Sequence, residues 1–372
     1  MPTGNSWAPE VSRSLPTLAL LTLAALGLGG GARAAQAEPG QPFPRAQLAK
    51  FATQVARRDG LSRRRVLRVL RHARLQPQII DDISRPAERV LQWWQYRQIF
   101  LTDKRIAAGV GFWQEHRDSL ERVSAEQGVP PQYIVAILGA ETFYGRITGS
   151  YRVLDALSTL AFDYPPRARY FRRELEQFLV MSHEEKIDPL SVKGSYAGAM
   201  GPLQFMPSAY LRYGTDGNDD GQRNLFTDWD DIFASVANYL HDCGWQAGGP
   251  VVADVRIDPG ATFQIDPSNL ALDETIDRLN AEGVRVQSDV PGDTPVVLLL
   301  AELQDGPTYR VGFNNFHALT RYNHSALYAM AVDELARAIA LRLTPANPGV
   351  TPETAPTARS AGTADRAGRS SE

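Results

Sequence analysis

The sequence predicts a mainly α-helical, α+β protein with a small β-rich insert. Three observations carry this expectation. Apolar residues recur at helical spacing from Phe43 to about Glu126, and residues 130–245 read the same way between Gly and Pro clusters. Composition then shifts across residues 250–313 towards β-branched runs separated by Asp-Pro-Gly and Pro-Gly-Asp turns. Helical pattern returns at Ser325–Leu343.

The N-terminus has the pattern of an export signal. Arg13 precedes an apolar run from Leu15 to Leu28, and Ala32-Arg33-Ala34 and Ala35-Gln36-Ala37 both suit a small-residue cleavage site. Residues 1–37 are therefore expected to be a signal peptide. The run is short for a membrane span of about 20 residues, which makes an uncleaved membrane anchor the weaker alternative. No cysteine lies near the cleavage region, so a lipoprotein is not expected. The expected location of the mature chain is the periplasm.

Residues 38–126 are expected to form a helical domain. Leu48, Phe51 and Val55 lie at i, i+3 and i+7, and Val66, Leu67 and Leu70 continue on a second helix. Pro130-Pro131 opens a further helix with Ile134, Val135, Ile137 and Leu138 as its apolar body. In the insert, Ala253, Val255 and Ile257 alternate with Asp254 and Arg256, and Val284-Arg285-Val286 and Val296–Leu300 read as further strands. Residues 344–372 are rich in Pro, Thr, Ala, Ser and Gly without apolar periodicity, so disorder is expected there.

Charge and composition exclude several functions. With 43% hydrophobic and 22% charged residues the chain is ordinary for a globular protein, and its net charge of -3 argues against nucleic-acid binding. The arginines around Arg63-Arg64-Arg65, with Arg57, Arg58, Arg68 and Arg71, read as the solvated face of a helix. Cys243 is the one cysteine, so no internal disulfide or thiolate zinc site can form. It reads as a small buried residue. The six histidines show no zinc-protease spacing.

Glu141 stands out. It follows the apolar run Ile134–Ala140 and precedes Phe143 and Tyr144. A carboxyl group placed there is expected to be partly desolvated, which favours its protonated form. Cleavage of a glycosidic bond needs such an acid to protonate the leaving oxygen. The segment alone leaves two other readings open: an ion-paired glutamate, or one facing solvent at a helix end.

Four further blocks narrow the choice. They are Gly194-Ser-Tyr-Ala-Gly-Ala-Met-Gly-Pro-Leu-Gln-Phe-Met-Pro207, Asn224-Leu-Phe with Ser235-Val-Ala-Asn-Tyr239, Gly244-Trp245, and Arg321-Tyr-Asn-His-Ser-Ala-Leu-Tyr-Ala-Met330. With Glu141-Thr-Phe-Tyr-Gly145 they resemble, in order and over roughly residues 43–343, the lytic murein transglycosylase B family, glycoside hydrolase family 103. The resemblance implies a lysozyme-like catalytic core, which falls on residues 127–249 and 314–343, beside the helical domain and a small β-domain at 250–313. It implies Glu141 as the catalytic residue and Ser195, Gln204, Tyr322, Asn323 and Tyr328 as substrate-binding positions. Gln204 also reads as a helix cap after Gly201-Pro202, and Tyr328 as a core residue at helical spacing from Ala331. One departure is Tyr164-Pro165-Pro166-Arg167: a member of the family carries two adjacent arginines after Tyr-Pro, and only Arg167 remains to contact the peptide or lactyl part of the substrate.

The implied reaction is non-hydrolytic cleavage of the MurNAc–GlcNAc bond of peptidoglycan, leaving a 1,6-anhydro ring, with Glu141 acting alone as acid and then base and with no cofactor. The alternatives are a lysozyme-type hydrolase, using a second carboxylate such as Asp163 to position water, and a non-catalytic wall-binding protein. Expected partners are peptidoglycan strands and cell-wall synthesis proteins, with the chain a monomer.

A calcium loop is the remaining expectation. Asp216-Gly-Asn-Asp-Asp-Gly221 reads as the opening of an EF-hand loop, with oxygen donors from Asp216, Asn218 and Asp220 and the carbonyl of Gln222. The standard twelfth position is Thr227, which cannot serve as a bidentate ligand. The family resemblance implies a later aspartate, Asp230 or Asp231, and counting back from Ser235-Val-Ala-Asn favours Asp231. An acidic turn holding no ion is the other reading.

Overall fold

The computed structural model describes residues 39–84 and 91–343. The expected signal peptide and the expected disordered tail lie outside the described residues.

The chain is mainly helical, as its sequence predicts, with a small five-stranded sheet and a two-stranded one. It opens with α1 Arg45–Asp59, α2 Arg63–Leu70, α3 Pro77–Ile83, α4 Trp93–Phe100, α5 Asp103–Glu115 and α6 Arg117–Gln127. Gly60 and Gly128, both in the left-handed conformation, end α1 and α6. Next come α7 Pro131–Thr142, β1 Tyr151–Arg152, α8 Val153–Asp163, a 3-10 turn Pro165–Arg167, α9 Ala168–Glu184, β2 Lys193–Gly194, α10 Pro207–Tyr213 and α11 Trp229–Asp242. The last part holds β3 Val252–Ile257, β4 Glu274–Thr275, α12 Ile276–Ala281, β5 Val284–Val286, β6 Pro295–Leu303, β7 Gly306–Gly312, α13 Asn314–Tyr322 and α14 Ala326–Leu343.

Helix α7 is the centre of the main core. Its residues from Tyr133 to Ala140 are all buried, because α5, α6, α11 and α14 surround it. A helix apolar on every side has no solvent face to offer. Full burial of Ile134, Val135, Ile137 and Leu138 stabilises the fold by about 1.5–3 kcal/mol per side chain. Tyr133 donates a hydrogen bond to Asp333 of α14 at 2.9 Å, and Arg337 pairs with the same carboxylate at 2.9 Å.

The five-stranded sheet has the order β4-β6-β7-β3-β5, and every described pairing is antiparallel. Strand β6 explains why Val296–Leu300 lacks a polar face. Val297, Leu299 and Ala301 enter the main core, while Val296 and Leu298 enter a second core with Ile276, Leu279, Val284, Val311 and Phe313. Burial on both faces turns an alternating pattern into a continuous apolar run.

Two helices depart from the sequence expectation. Within the β-rich insert, α12 is capped by Thr275, whose hydroxyl accepts from the Arg278 amide. Six residues are too few to show helical periodicity. The helix after the insert also begins earlier than expected, because α13 precedes α14. Its buried residues Phe316, Leu319 and Tyr322 are diluted by Asn314, Asn315, His317 and Arg321. No helix among the described residues is long and apolar enough to cross a membrane.

Candidate active site

Glu141 lies in the last turn of α7, half-buried, directly before the helix stops. The stop is abrupt. Phe143, Tyr144 and Gly145 are all left-handed, with φ of 52°, 61° and 77°. Non-glycine residues in that region cost about 1–2 kcal/mol each, so the surrounding packing must hold them. Tyr144 supplies part of it: its ring folds back against the helix and its hydroxyl donates to the Arg105 carbonyl at 2.9 Å. The fold-back needs Gly139, since a Cβ there would sit 2.7 Å from the Tyr144 ring.

Thr142 links this helix end to the glycine-rich block. Its hydroxyl donates to the Pro202 carbonyl and accepts from the Gly145 amide, both at 2.9 Å. From the other side, the Tyr322 hydroxyl donates to the Leu203 carbonyl at 2.8 Å. The Pro202–Leu203 turn is thus held by α7 and α13 together. Gln204 follows with φ 53°, and its amide nitrogen donates to the carbonyls of Thr148 and Gly201 at 3.1 and 3.0 Å. The expected helix cap is corrected here. Residues 201–204 form turns, α10 begins only at Pro207, and Gln204 closes the turn and ties it to the loop after Glu141.

Ser195 is buried, and its hydroxyl oxygen accepts the Ala199 amide at 2.9 Å while its own amide donates to the Ala199 carbonyl. Its described bonds shape the block from within. Gly194 belongs to the same arrangement: it pairs with Tyr151 across β1–β2, and a Cβ on it would lie 2.1 Å from the Ala199 carbonyl oxygen.

Tyr328 makes the direct contact with the carboxylate. Its hydroxyl donates to Oε1 of Glu141 at 2.7 Å. Ser325 sets the start of α14, its hydroxyl accepting from the Tyr328 amide at 3.2 Å. Burial pushes the Tyr328 and Tyr322 phenols well above their ordinary range, and the Glu141 charge pushes both the same way. Both stay protonated and act as donors. Tyr328 is therefore a buried residue and a partner of Glu141 at once.

Asn323 is 2% exposed, and its side-chain Nδ2 has no hydrogen-bond partner among the described residues. A buried amide donor left unpaired costs about 1–3 kcal/mol. Arg167 stands apart: its guanidinium lies over the rings of Tyr170 and Phe171 at 4.6 and 5.3 Å. Asp163 is exposed at the end of α8. Cys243 is half-buried, and burial pushes its thiol up to about 11, the opposite of an activated nucleophile.

The sequence profile of the Transglycosylase SLT domain matches residues 44–337. The chain belongs to this family. Within it, the chain is 39% identical over 310 residues to the membrane-bound lytic murein transglycosylase B of Escherichia coli, covering 80% of this chain and 83% of that one. The crystal structure of the soluble lytic transglycosylase SltB1 from Pseudomonas aeruginosa superposes with a TM-score of 0.74 at 45% identity, covering 80% of this chain and 99% of that one. The Escherichia coli lytic transglycosylase Slt35 in complex with calcium superposes with a TM-score of 0.73 at 38% identity, covering 81% and 94%. As a Transglycosylase SLT domain protein the chain is a lytic transglycosylase acting on peptidoglycan, a lyase.

Two residues of this Transglycosylase SLT domain, Thr142 and Gly139, carry structural roles that the sequence did not assign, and Tyr144, noted as an aromatic beside Glu141, gains a partner in Arg105. Thr142 and Tyr144 stand in the Glu141 motif, but their partners Pro202 and Arg105 are distant in sequence.

The acidic loop is closed by hydrogen bonds from its own backbone amides. Asp216 accepts the amides of Asp220 at 3.2 Å and Gly221 at 2.7 Å, Asn218 accepts the Asp220 amide at 3.1 Å, and Asp220 accepts the Gln222 amide at 2.8 Å. Asp231 faces the loop and accepts the Gly217 and Asn224 amides at 2.7 Å each. Asp230 turns away to Ser119 and Arg122. The structure thus separates the two candidate late aspartates. Burial raises the Asp231 carboxyl, and the charges of Asp228 and Asp216 raise it further, against the two amides that lower it. A cation in the loop would relieve that repulsion. Among the described residues no three His, Cys, Asp or Glu side chains converge as a metal cluster.

Proposed function

We propose that Glu141 is the single acid/base of a lytic transglycosylase that cleaves the MurNAc–GlcNAc bond and leaves 1,6-anhydro-MurNAc ends. The observation that carries this reading is the 2.7 Å hydrogen bond from Tyr328 to Glu141 at the end of a buried helix, in a chain of the transglycosylase family. The protonated Glu141 carboxyl gives its proton to the glycosidic oxygen as the bond to C1 breaks. The substrate's acetamido oxygen stabilises the cationic C1. The C6 hydroxyl then attacks C1, and the Glu141 carboxylate takes its proton. Glu141 is returned to its acid form, so one carboxyl group does the work that ordinary glycosidases divide between two.

Tyr328 orients the carboxylate through both steps. The unpaired Nδ2 of Asn323 supports a role as donor to a substrate oxygen. Gln204 and Ser195 shape the turn that would face the sugars, Tyr322 holds that turn in place, and Arg167 offers a cation for the lactyl or peptide carboxylate. The hydrolase alternative would place water with Asp163, which stands exposed at the end of α8.

The chain is proposed to be exported to the periplasm by the signal pattern of residues 1–37 and to act as a monomer on peptidoglycan strands beside cell-wall synthesis proteins. A structural calcium ion is proposed in the loop of Asp216, Asn218, Asp220, Gln222 and Asp231. The calcium complex of the related Slt35 and the repulsion around Asp231 support it.

Digestion of purified peptidoglycan followed by mass spectrometry tests the reaction. Products one water lighter than hydrolytic fragments are expected, and Glu141→Gln should abolish them while binding to sacculi persists. Hydrated reducing ends, or cleavage by the variant at the normal rate, would overturn the reading.

A further inference from the structure

A cavity lies between α2 and the end of α9, and the residues proposed for the reaction do not line it. At about 570 Å³ its volume falls within the range of ligand pockets. Its floor is apolar, built from Leu61, Val66, Leu179 and Ile187. Its rim is basic. Arg65, Arg68 and His72 stand along one wall, and His183 and Lys186 stand on the other, all of them exposed. Asp188 is the one carboxylate among the lining residues.

The arginines of α2 are unusual in their company. Arg63, Arg64, Arg65 and Arg68, with Arg71 at the C-cap, make no ion pair among the described residues. Like charges crowded on one short helix repel one another and are expected to destabilise it. The chain as a whole is acidic, at -3, so this face is a local excess of positive charge. Lys186 adds to it from a left-handed turn with φ 56°.

We propose that this groove binds an acidic peptide segment of a partner protein, with carboxylates on the basic rim and apolar side chains on the floor. The charge pattern favours a peptide. Arg65 and Arg68 are one helical turn apart and Lys186 stands on the facing wall, so positive charge lies on both sides of the groove. A single lipid headgroup would meet only part of that charge. A nucleic acid would find its phosphates matched but would leave the apolar floor unfilled. Arginine is suited to carboxylates because its guanidinium donates two parallel hydrogen bonds. The groove is a site separate from the chemistry of Glu141 and does not rest on the proposed reaction.

The test uses the full-length protein and a fluorescein-labelled short peptide alternating glutamate and leucine, followed by fluorescence anisotropy. Binding is expected, weakening with added salt, and the Arg65→Glu/Arg68→Glu double variant should bind at least about tenfold more weakly, or about 1.4 kcal/mol. Peptidoglycan cleavage by the double variant should be unchanged, which shows that it folds. If it does not fold, Lys186→Glu provides the same comparison on the facing wall. Equal affinity for wild type and variant, or equal binding of a lysine–leucine control peptide, would overturn the proposal. So would failure of the peptide to bind while phosphatidylglycerol vesicles or an oligonucleotide bind in a variant-sensitive way.

Discussion

The Tyr328 hydroxyl donates to Oε1 of Glu141 at 2.7 Å, across 187 residues of chain. The two groups come from the end of α7 and the start of α14, which pack against each other. Removing the donor without changing the ring is the direct check. Tyr328→Phe is expected to lower kcat by about one to two orders of magnitude, matching the about 1.5–3 kcal/mol of a hydrogen bond to a charged group. KM should change little, and the melting temperature should move by only a few degrees. Steady-state kinetics on soluble peptidoglycan fragments, with a melting curve for each protein, would show it.

Asn323 should separate stability from activity. Its Nδ2 is buried without a partner, so its removal relieves a penalty of about 1–3 kcal/mol that offsets lost packing. Asn323→Ala is expected to keep a near-normal melting temperature and to lose at least about tenfold in kcat/KM, worth 1.36 kcal/mol per factor of ten. A large loss of stability with normal activity in the surviving protein would assign Asn323 to the core alone.

Calcium should stabilise the native chain. An ion at a hundred times its Kd adds about 2.7 kcal/mol, read as a rise in melting temperature after EDTA treatment and calcium return. Asp216→Ala is expected to remove the rise. The effect should also weaken in acid. The Asp231 carboxyl is raised by burial and by its acidic neighbours, so protons compete for it at a higher pH than for an ordinary aspartate.

Glu174 gives a pH dependence of the opposite kind. Burial raises its carboxyl, although the amide and hydroxyl of Ser208 donate to it at 3.0 and 2.7 Å. Above the unfolded value of about 4.3, the native chain holds a proton that the unfolded chain has lost. Stability therefore falls as pH rises, until Glu174 ionises in the native state as well. Glu174→Gln removes this titration. Its melting temperature relative to wild type is expected to climb as pH is raised from about 4 towards 7, and a constant difference across that range would refute the assignment.

Much of the architecture was legible in the sequence because periodicity is local. The apolar body of α7, the strands β3 and β5 and the mainly helical class all follow from spacings within a few residues. The two unexpected helices fail for reasons equally local: α12 is too short, and the apolar face of α13 is masked by polar neighbours. Strand β6 was visible as an apolar run, but its division between two cores was not, since that depends on what packs on each side.

The site divides in the same way. By itself the sequence determined that an acid would sit at the end of an apolar helix, that the ordered blocks around it resemble a transglycosylase, and that an acidic glycine turn follows. Tertiary structure decided which groups meet. It brought Tyr328 to Glu141, clamped the Pro202–Leu203 turn between Thr142 and Tyr322, and turned Asp231 into the acidic loop while Asp230 turned out. The physical reason is that a hydrogen bond forms only within about 3 Å and in a suitable direction. Spacing along the chain sets the face of a helix, but only packing between helices brings distant residues within that reach.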